Sequence, residues 1–264
     1  MPELAEVEYY RQQWDGGLRR KIARVELHGG KRSFRGVDVA RLTGRLRGAM
    51  LLESEARAKQ MLFRCSGGSW LGVHLGMTGK LRVAAPDFTP GKHDHLVIFQ
   101  RKCALVFHDP RQFGRVLFHE GKEPPPWWTK LPPALTSPEF TADGVRAFFR
   151  RRARLAVKAA LLQQERFPGV GNWMADEILW RAKLDPRRLC GRLTPARSTS
   201  VWRATREVCR IALATVGVDF SDPPAGWFFH VRWTKAGRCP RCQRPLQTAT
   251  IGGRTTRWCG RCQR

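Results

Sequence analysis

Cys239-Pro240-Arg241-Cys242 and Cys259-Gly260-Arg261-Cys262 lie sixteen residues apart near the end of a 264-residue chain. Two Cys-x-x-Cys pairs at this separation supply four thiolates to one tetrahedral metal ion. Each pair bends into a knuckle, and the chain between them returns as a hairpin. Gly252-Gly253, flanked by apolar and β-branched residues, marks its turn. Arg254 would project from that turn, free to reach a phosphate. Two disulfides, or a redox Cys-x-x-Cys, would use the same residues. Disulfides fit poorly with a start that lacks the basic-then-apolar pattern of a secretion signal, and a redox role does not need two matched pairs. A unit of about thirty residues has little core, so bound metal supplies most of its folding free energy. The spacing therefore predicts one structural Zn²⁺ on Cys239, Cys242, Cys259 and Cys262. Cys65, Cys103, Cys190 and Cys209 are scattered among apolar or mixed neighbours and read as reduced core residues.

Upstream of the cysteine unit the pattern is helical. Ser198–Thr215 and Leu155–Glu165 repeat apolar residues at helical spacing, and Thr141 is placed to cap a helix over Ala142–Arg152. Gly169-Val-Gly171-Asn172 opens a further helix, Trp173–Ala182, which ends before Asp185-Pro186. A glycine turn leading into a helix N-terminus holds backbone N–H groups ready for phosphate, although such turns are also common between core helices. The Pro-rich run Glu123-Pro-Pro-Pro-Trp-Trp, with Leu131-Pro-Pro133 after it, marks the domain boundary. Before it, short strands are expected at Met61–Arg64, Trp70–His74, Lys80–Ala84, His95–Gln100, Ala104–His108 and Arg115–His119, as in a sandwich or barrel. A helix is expected over Glu6–Leu18. Two loops carry side chains suited to entering a base stack: Met77 between glycines, and Arg111 with Phe113 in Asp109-Pro-Arg-Gln-Phe-Gly114.

The chain carries 48 Lys+Arg against 22 Asp+Glu, a formal net charge of +26 spread along its length. Such an excess concentrates polyanions and releases counterions from nucleic acid. No apolar run approaches the ~20 residues of a spanning helix, so a cytoplasmic, nucleoid-associated protein is expected, with no membrane partner. At the other end, Met1-Pro2-Glu3 has a chemical meaning. Trimming of methionine leaves Pro2 as a secondary α-amine. Such amines titrate near pH ~8, so a usable fraction is neutral and nucleophilic. Glu3 adds a carboxyl group beside it for proton transfer.

Together, Pro2-Glu3-Leu-Ala-Glu6-Val-Glu8, Lys59, His74-Leu-Gly-Met-Thr-Gly79, Lys92-His-Asp-His95, Asp109–Gly114, Gly169-Val-Gly-Asn-Trp-Met-Ala-Asp-Glu-Ile-Leu-Trp-Arg-Ala182 and the four-cysteine unit occur in one order. In that order the chain resembles the formamidopyrimidine-DNA glycosylase and endonuclease VIII family, closer to the first branch, over essentially its whole length. The resemblance implies an α+β multidomain protein. It would have an N-terminal catalytic β-sandwich (1–130), a helix–two-turn–helix DNA-binding domain (131–222) and a four-cysteine zinc-finger β-hairpin (229–263). It also implies a monomer acting on double-stranded DNA that contains oxidised bases or abasic sites.

By that resemblance Pro2 attacks C1′ of a flipped nucleotide and Glu3 protonates the sugar. Lys59, matching a strand-borne lysine of the family, grips phosphate and assists elimination, and Arg254 assists the second elimination. Met77, Arg111 and Phe113 fill the gap and wedge the opposite strand, while Asn172 holds phosphate at a helix start. His93, Arg154 and Lys158 become backbone contacts. A base taken out of a duplex costs a few kcal/mol of unstacking, least when it is damaged, and these parts suit that task. Three features depart from the family's usual pattern: Ala5 in place of a second proline, Gln112 in place of a second arginine, and a short Thr215–Trp227 connector without the longer Gly/Thr-rich loop. The rival expectation is a non-catalytic, damage-sensing paralogue; intact Pro2, Glu3, Lys59 and Arg254 argue against it.

Overall fold

The computed structural model describes all residues from Met1 to Arg264 and divides into two compact units. One comprises Met1–Pro2 and Glu6–Leu131; the other comprises Glu3–Ala5 and Pro132–Arg264. No helix is long and apolar enough to cross a membrane.

The first unit is built from β1 (Arg20–Leu27), β2 (Met50–Arg57), β3 (Gln60–Cys65), β4 (Ser69–His74), β5 (Lys80–Ala84), β6 (Asp94–Gln100), β7 (Ala104–His108) and β8 (Arg115–Glu120). They run in the order β5-β7-β6-β1-β2-β3-β4-β8, with every pairing antiparallel. β1 pairs with β6 on one side and β2 on the other, so it joins two sheets. Ile22, Met61, Phe63, Leu71, Val73, Leu96, Ile98, Leu105, Phe107 and Val116 from both sheets meet in a single core, which makes the unit a sandwich. All seven residues of β6 are buried, because its other face is covered by a second cluster around Val97, Phe99 and Val106. A helix, α1 (Leu4–Gln12), precedes the strands and is shorter than the expected Glu6–Leu18, because Asp15-Gly16-Gly17 forms a tight turn instead. α2 (Val39–Leu46), capped by Asp38, buries Leu42 and Leu46. α3 (Pro126–Thr129) lays Trp128 against Leu62 and Trp70.

The second unit holds α4 (Ala142–Arg151), α5 (Val157–Leu161), α6 (Asn172–Arg181), α7 (Pro195–Ala214) and α8 (Val216–Asp219). The Thr141 hydroxyl accepts from Gly144 N–H, as a capping residue should. The core joins Phe148, Phe149, Phe167, Ile178, Val201 and Val208 and includes Ala5. Ala5 lies in the first turn of α1, where amides have no intrahelical carbonyl partner, so the helix is compatible with either proline or alanine there. The two-stranded sheet of β9 (Gln247–Ile251) and β10 (Arg254–Trp258) turns through Gly252-Gly253, both at positive φ.

Gly76 makes a very close backbone approach in the loop that bears Met77. Its φ is +64°, and a Cβ there would run into the Phe113 carbonyl. Gly36 has a similar φ of +77° with nothing within 4 Å. Gly36→Ala should cost about 1 kcal/mol from the left-handed backbone alone. Gly76→Ala should cost clearly more, about 2–3 kcal/mol, because the clash with backbone is added. Urea midpoints of the two variants check the difference.

Candidate active site

In the sandwich unit, register brings the expected residues to one edge. Gln60 pairs with His74, and His74 pairs with Arg115. The β2–β3 turn, the loop after β4 and the loop before β8 therefore lie side by side. Lys59 occupies the two-residue β2–β3 turn with Ala58, whose φ is +59°, rather than a strand, and is half-buried. The His74 imidazole is pushed below its ordinary range by burial, with Lys59 and Arg115 adding to the effect. A neutral ring suits its contact, since His74 Nδ1 accepts Gly76 N–H at 3.1 Å. Met77 is half-buried in the same loop.

Asp109 organises the second loop. It is fully buried, and its carboxylate accepts Thr78 Oγ1 at 3.0 Å, Gly114 N–H at 2.7 Å and Arg111 N–H at 3.3 Å. This fastens the Met77 loop to the Arg111–Phe113 loop and leaves Phe113 46% exposed, with the Arg111 guanidinium 5.0 Å over its ring. Gln112 takes φ +54°, a left-handed turn position. His93 adjoins this loop: its carbonyl accepts Asp109 N–H at 2.9 Å, and its ring meets His108 edge-on. The sequence signal for Asp109 was present, because an aspartate heading a proline turn accepts local backbone N–H groups.

Pro2, half-buried, belongs to the sandwich unit; the next residue belongs to the helical one. Glu3 is 3% exposed. Its carboxylate accepts the N–H groups of Gly171 (2.8 Å), Trp173 (2.9 Å) and Met174 (3.1 Å). These amides open α6, and a helix N-terminus favours negative charge. Gly171 is required because a Cβ would overlap the Glu3 carboxylate. Leu4 N–H adds a bond to Gly169 O at 3.0 Å. Asn172, the first residue of α6, donates Nδ2–H to the Thr255 carbonyl of β10 at 2.9 Å. Arg254, beside Thr255, is exposed, and Gly252 packs against Ala159 of α5. Asn172 and Arg254 are thus brought together. Arg154 is exposed in the turn between α4 and α5.

Lys158 departs from the expectation of a backbone contact. It is 0% exposed, with Nζ 2.5 Å from Asp176 Oδ1 and 2.8 Å from the Asn172 carbonyl. Its partner lies eighteen residues on in the sequence, so nothing near Lys158 announced its burial. Asp176 and Arg232, which complete this group, were missed for the same reason.

The four finger cysteines converge: their sulfurs all lie within 4.8 Å of one another. Cys262 N–H points at Cys259 Sγ at 3.4 Å. Cys239 and Cys259 pack on Trp180 of α6. An all-sulfur set at this spacing suits a tetrahedral ion with metal–sulfur bonds of about 2.3 Å. The remaining cysteines are buried and free; burial pushes the Cys65 and Cys190 thiols up to about 12.

Comparison with known proteins places the chain as a whole. Residues 1–116 match the model of the formamidopyrimidine-DNA glycosylase N-terminal domain, and residues 131–222 that of the formamidopyrimidine-DNA glycosylase H2TH domain. The chain belongs to the formamidopyrimidine-DNA glycosylase family. The formamidopyrimidine-DNA glycosylases of Xanthomonas campestris pv. campestris (strain B100) and Halorhodospira halophila are each 36% identical to it, over 276 and 273 aligned residues, covering 100% of both chains. Among solved structures, a complex of the Lactococcus lactis Fpg with an abasic site containing DNA superimposes with a TM-score of 0.89, at 26% identity and 99% coverage of each chain. A complex of the same protein with an oxidised pyrimidine containing DNA gives the same values. In the connector, Phe220 adopts φ +64° directly after α8, and Val218 and Phe220 are exposed.

Proposed function

We propose that this protein is a bifunctional DNA glycosylase and AP lyase of base excision repair. It removes oxidised bases, ring-opened formamidopyrimidines foremost, and nicks the strand by β,δ-elimination. The observation that carries the reading is the Glu3 carboxylate, seated on three amides of α6 immediately beside Pro2. The full-length match to glycosylases supports it.

Removal of Met1 frees the Pro2 amine. In its neutral form it attacks C1′ of the flipped nucleotide as the glycosidic bond breaks and the base leaves, taking up a proton. The amine proton passes to the Glu3 carboxylate, which returns it to the sugar ring oxygen. The ring opens and leaves an iminium between Pro2 and C1′. Loss of a C2′ proton then expels the 3′ phosphate, and a second elimination expels the 5′ phosphate. Lys59 and Arg254 serve these eliminations. Met77, Arg111 and Phe113 fill and wedge the duplex; His93, Arg154 and Asn172 hold its backbone. Lys158 acts from inside, through the Asn172 carbonyl.

The finger binds one Zn²⁺ through Cys239, Cys242, Cys259 and Cys262. Four thiolates leave no open position for substrate, so the ion supplies folding energy to the hairpin rather than chemistry at the reacting atoms.

The Pro2 reading is tested by borohydride trapping on abasic-site DNA. The trimmed protein should form one covalent adduct at Pro2, and an extra residue ahead of Pro2 should abolish trapping and nicking, because the amine becomes an amide. An adduct mapped to a lysine overturns it; no adduct from a DNA-binding protein supports the damage-sensing alternative.

Metal analysis should return one zinc per chain. Cys259→Ser should lose the zinc and weaken duplex binding by an order of magnitude or more, read by filter binding at fixed salt. Unchanged affinity in a zinc-free protein contradicts this role.

The short connector sets the lesion preference. Fewer residues are available there to cover a flipped purine, and each lost hydrogen bond is worth roughly 0.5–1.5 kcal/mol, up to about tenfold in rate. Single-turnover excision opposite cytosine should therefore be faster for ring-opened formamidopyrimidine than for 8-oxoguanine. If 8-oxoguanine is removed fastest, the connector does not set specificity.

A further inference from the structure

Three ionisable side chains are buried behind the first turn of α6. Lys158 is 0% exposed, Asp176 1% and Arg232 4%. Lys158 Nζ donates to Asp176 Oδ1 at 2.5 Å, and Arg232 donates Nε–H and Nη2–H to Asp176 Oδ2 at 3.0 and 2.7 Å. The other acceptor of Lys158 is the Asn172 carbonyl at 2.8 Å. A carboxylate and a carbonyl, both acceptors, suit an ammonium, which has donors only. Two cations therefore share one carboxylate, and the group carries a net positive charge in the interior. Burying such an excess is costly unless a further anion answers it.

Glu3 is that anion. Its carboxylate is held by the amides of Gly171, Trp173 and Met174, while Lys158 holds the carbonyl of Asn172. One tetrapeptide, residues 171–174, grips the carboxylate by its amides and the ammonium by its carbonyl. Burial lowers the proton affinity of Lys158 from the usual lysine range; Asp176 opposes this most strongly, and Glu3 acts in the same direction. From α7 the Cys209 thiol is pushed upward by burial first and by Glu3 as well, so it stays neutral. Glu6 follows one turn later on α1.

We propose that Lys158, Asp176 and Arg232 together set the proton affinity of Glu3, keeping its carboxylate ionised until the reaction delivers a proton to it. They are positioning residues that act through Glu3. The catalytic consequence rests on Glu3 as the proton carrier in the function proposed above; the electrostatic coupling rests on the shared 171–174 segment and on the attraction between Glu3 and Lys158.

Charge variants of opposite sign separate this from a structural role. Lys158→Gln removes a positive charge yet keeps a donor for the Asn172 carbonyl, so Glu3 should bind its proton more tightly. Asp176→Asn removes the shared negative charge, so Glu3 should bind its proton less tightly. Met174 N–H reports the change directly, because it donates to Glu3 Oε2 at 3.1 Å. The zinc-loaded protein, trimmed of Met1, is labelled with [¹⁵N]methionine, which gives few signals because only four of the five methionines remain, and its amides are titrated through the acid range. The Met174 midpoint should rise by about one pH unit in Lys158→Gln and fall by a comparable amount in Asp176→Asn. Midpoints that stay put, or that move in the same direction, overturn the proposal. If Lys158→Gln does not fold, Arg232→Gln removes the same charge from the other end and must raise the midpoint.

Single-turnover excision by the same variants supplies the second readout. Its acid limb should follow the amide midpoints. Amide shifts without a matching limb shift uphold the coupling and overturn Glu3 as the proton carrier.

Discussion

Three backbone amides aimed at one buried carboxylate are the constraint on which the candidate site depends. A helix N-terminus leaves its first amides without partners, and a buried carboxylate must find donors. Glu3 and the first turn of α6 satisfy each other across 168 or more residues of sequence. Hydrogen bonds to a charged group contribute roughly 1.5–3 kcal/mol each, so the contact is strong enough to fix the chain start. It also fixes the atoms beside it, because Pro2 is covalently attached and Leu4 is bonded to the Gly169 carbonyl.

The sandwich unit repeats the device with Asp109. That carboxylate is also fully buried and also satisfied largely by backbone amides, at Arg111 and Gly114, with Thr78 as the third donor. In each unit a buried acid fixes the backbone beside candidate site residues. Asp109 presents Met77, Arg111 and Phe113; Glu3 presents Pro2 and the start of α6. Loops alone are poor carriers of geometry, and a buried, fully bonded carboxylate makes them less mobile.

Much of the fold was legible because period-two and helical spacings are local. All six strands expected between residues 61 and 119 are present within a residue of their expected ends. β1 and β2 escaped notice because Arg20, Lys21, Arg24 and Glu26 on one, and Glu53, Glu55 and Arg57 on the other, hide the apolar alternation. The expected Leu155–Glu165 helix stops at Leu161, since Gln164 turns its amide onto the Leu162 and Val170 carbonyls and accepts Gly169 N–H. The cysteine unit was legible from spacing alone, as metal ligands must be. What stayed hidden were long-range pairings of polar groups. Lys158 looked like a surface cation because Asp176 and Arg232 become its neighbours only when α5, α6 and the pre-finger segment pack. Glu3 could be read only as the acid beside Pro2, because its donors are backbone amides, which every residue but proline carries.

The position of α6 explains why these hidden pairings matter. Every residue from Trp173 to Trp180 is buried, so this helix has no solvent face. A helix covered on all sides must pair any charge it carries. Asp176 faces Lys158 and Arg232, while Glu177 binds Arg181 and accepts Phe229 N–H. Burial raises the proton affinity of Glu177, and those partners counter the effect. The same helix seats the finger: Arg241 stacks on Trp180 at 3.8 Å and bonds its carbonyl, and Asn172 reaches Thr255. One internal helix therefore holds the Glu3 carboxylate at its N-terminus, carries Asn172 there and anchors the hairpin that bears Arg254. Movement of α6 would displace all three at once, so its burial on every side and the pairing of its charges bear on the whole candidate site.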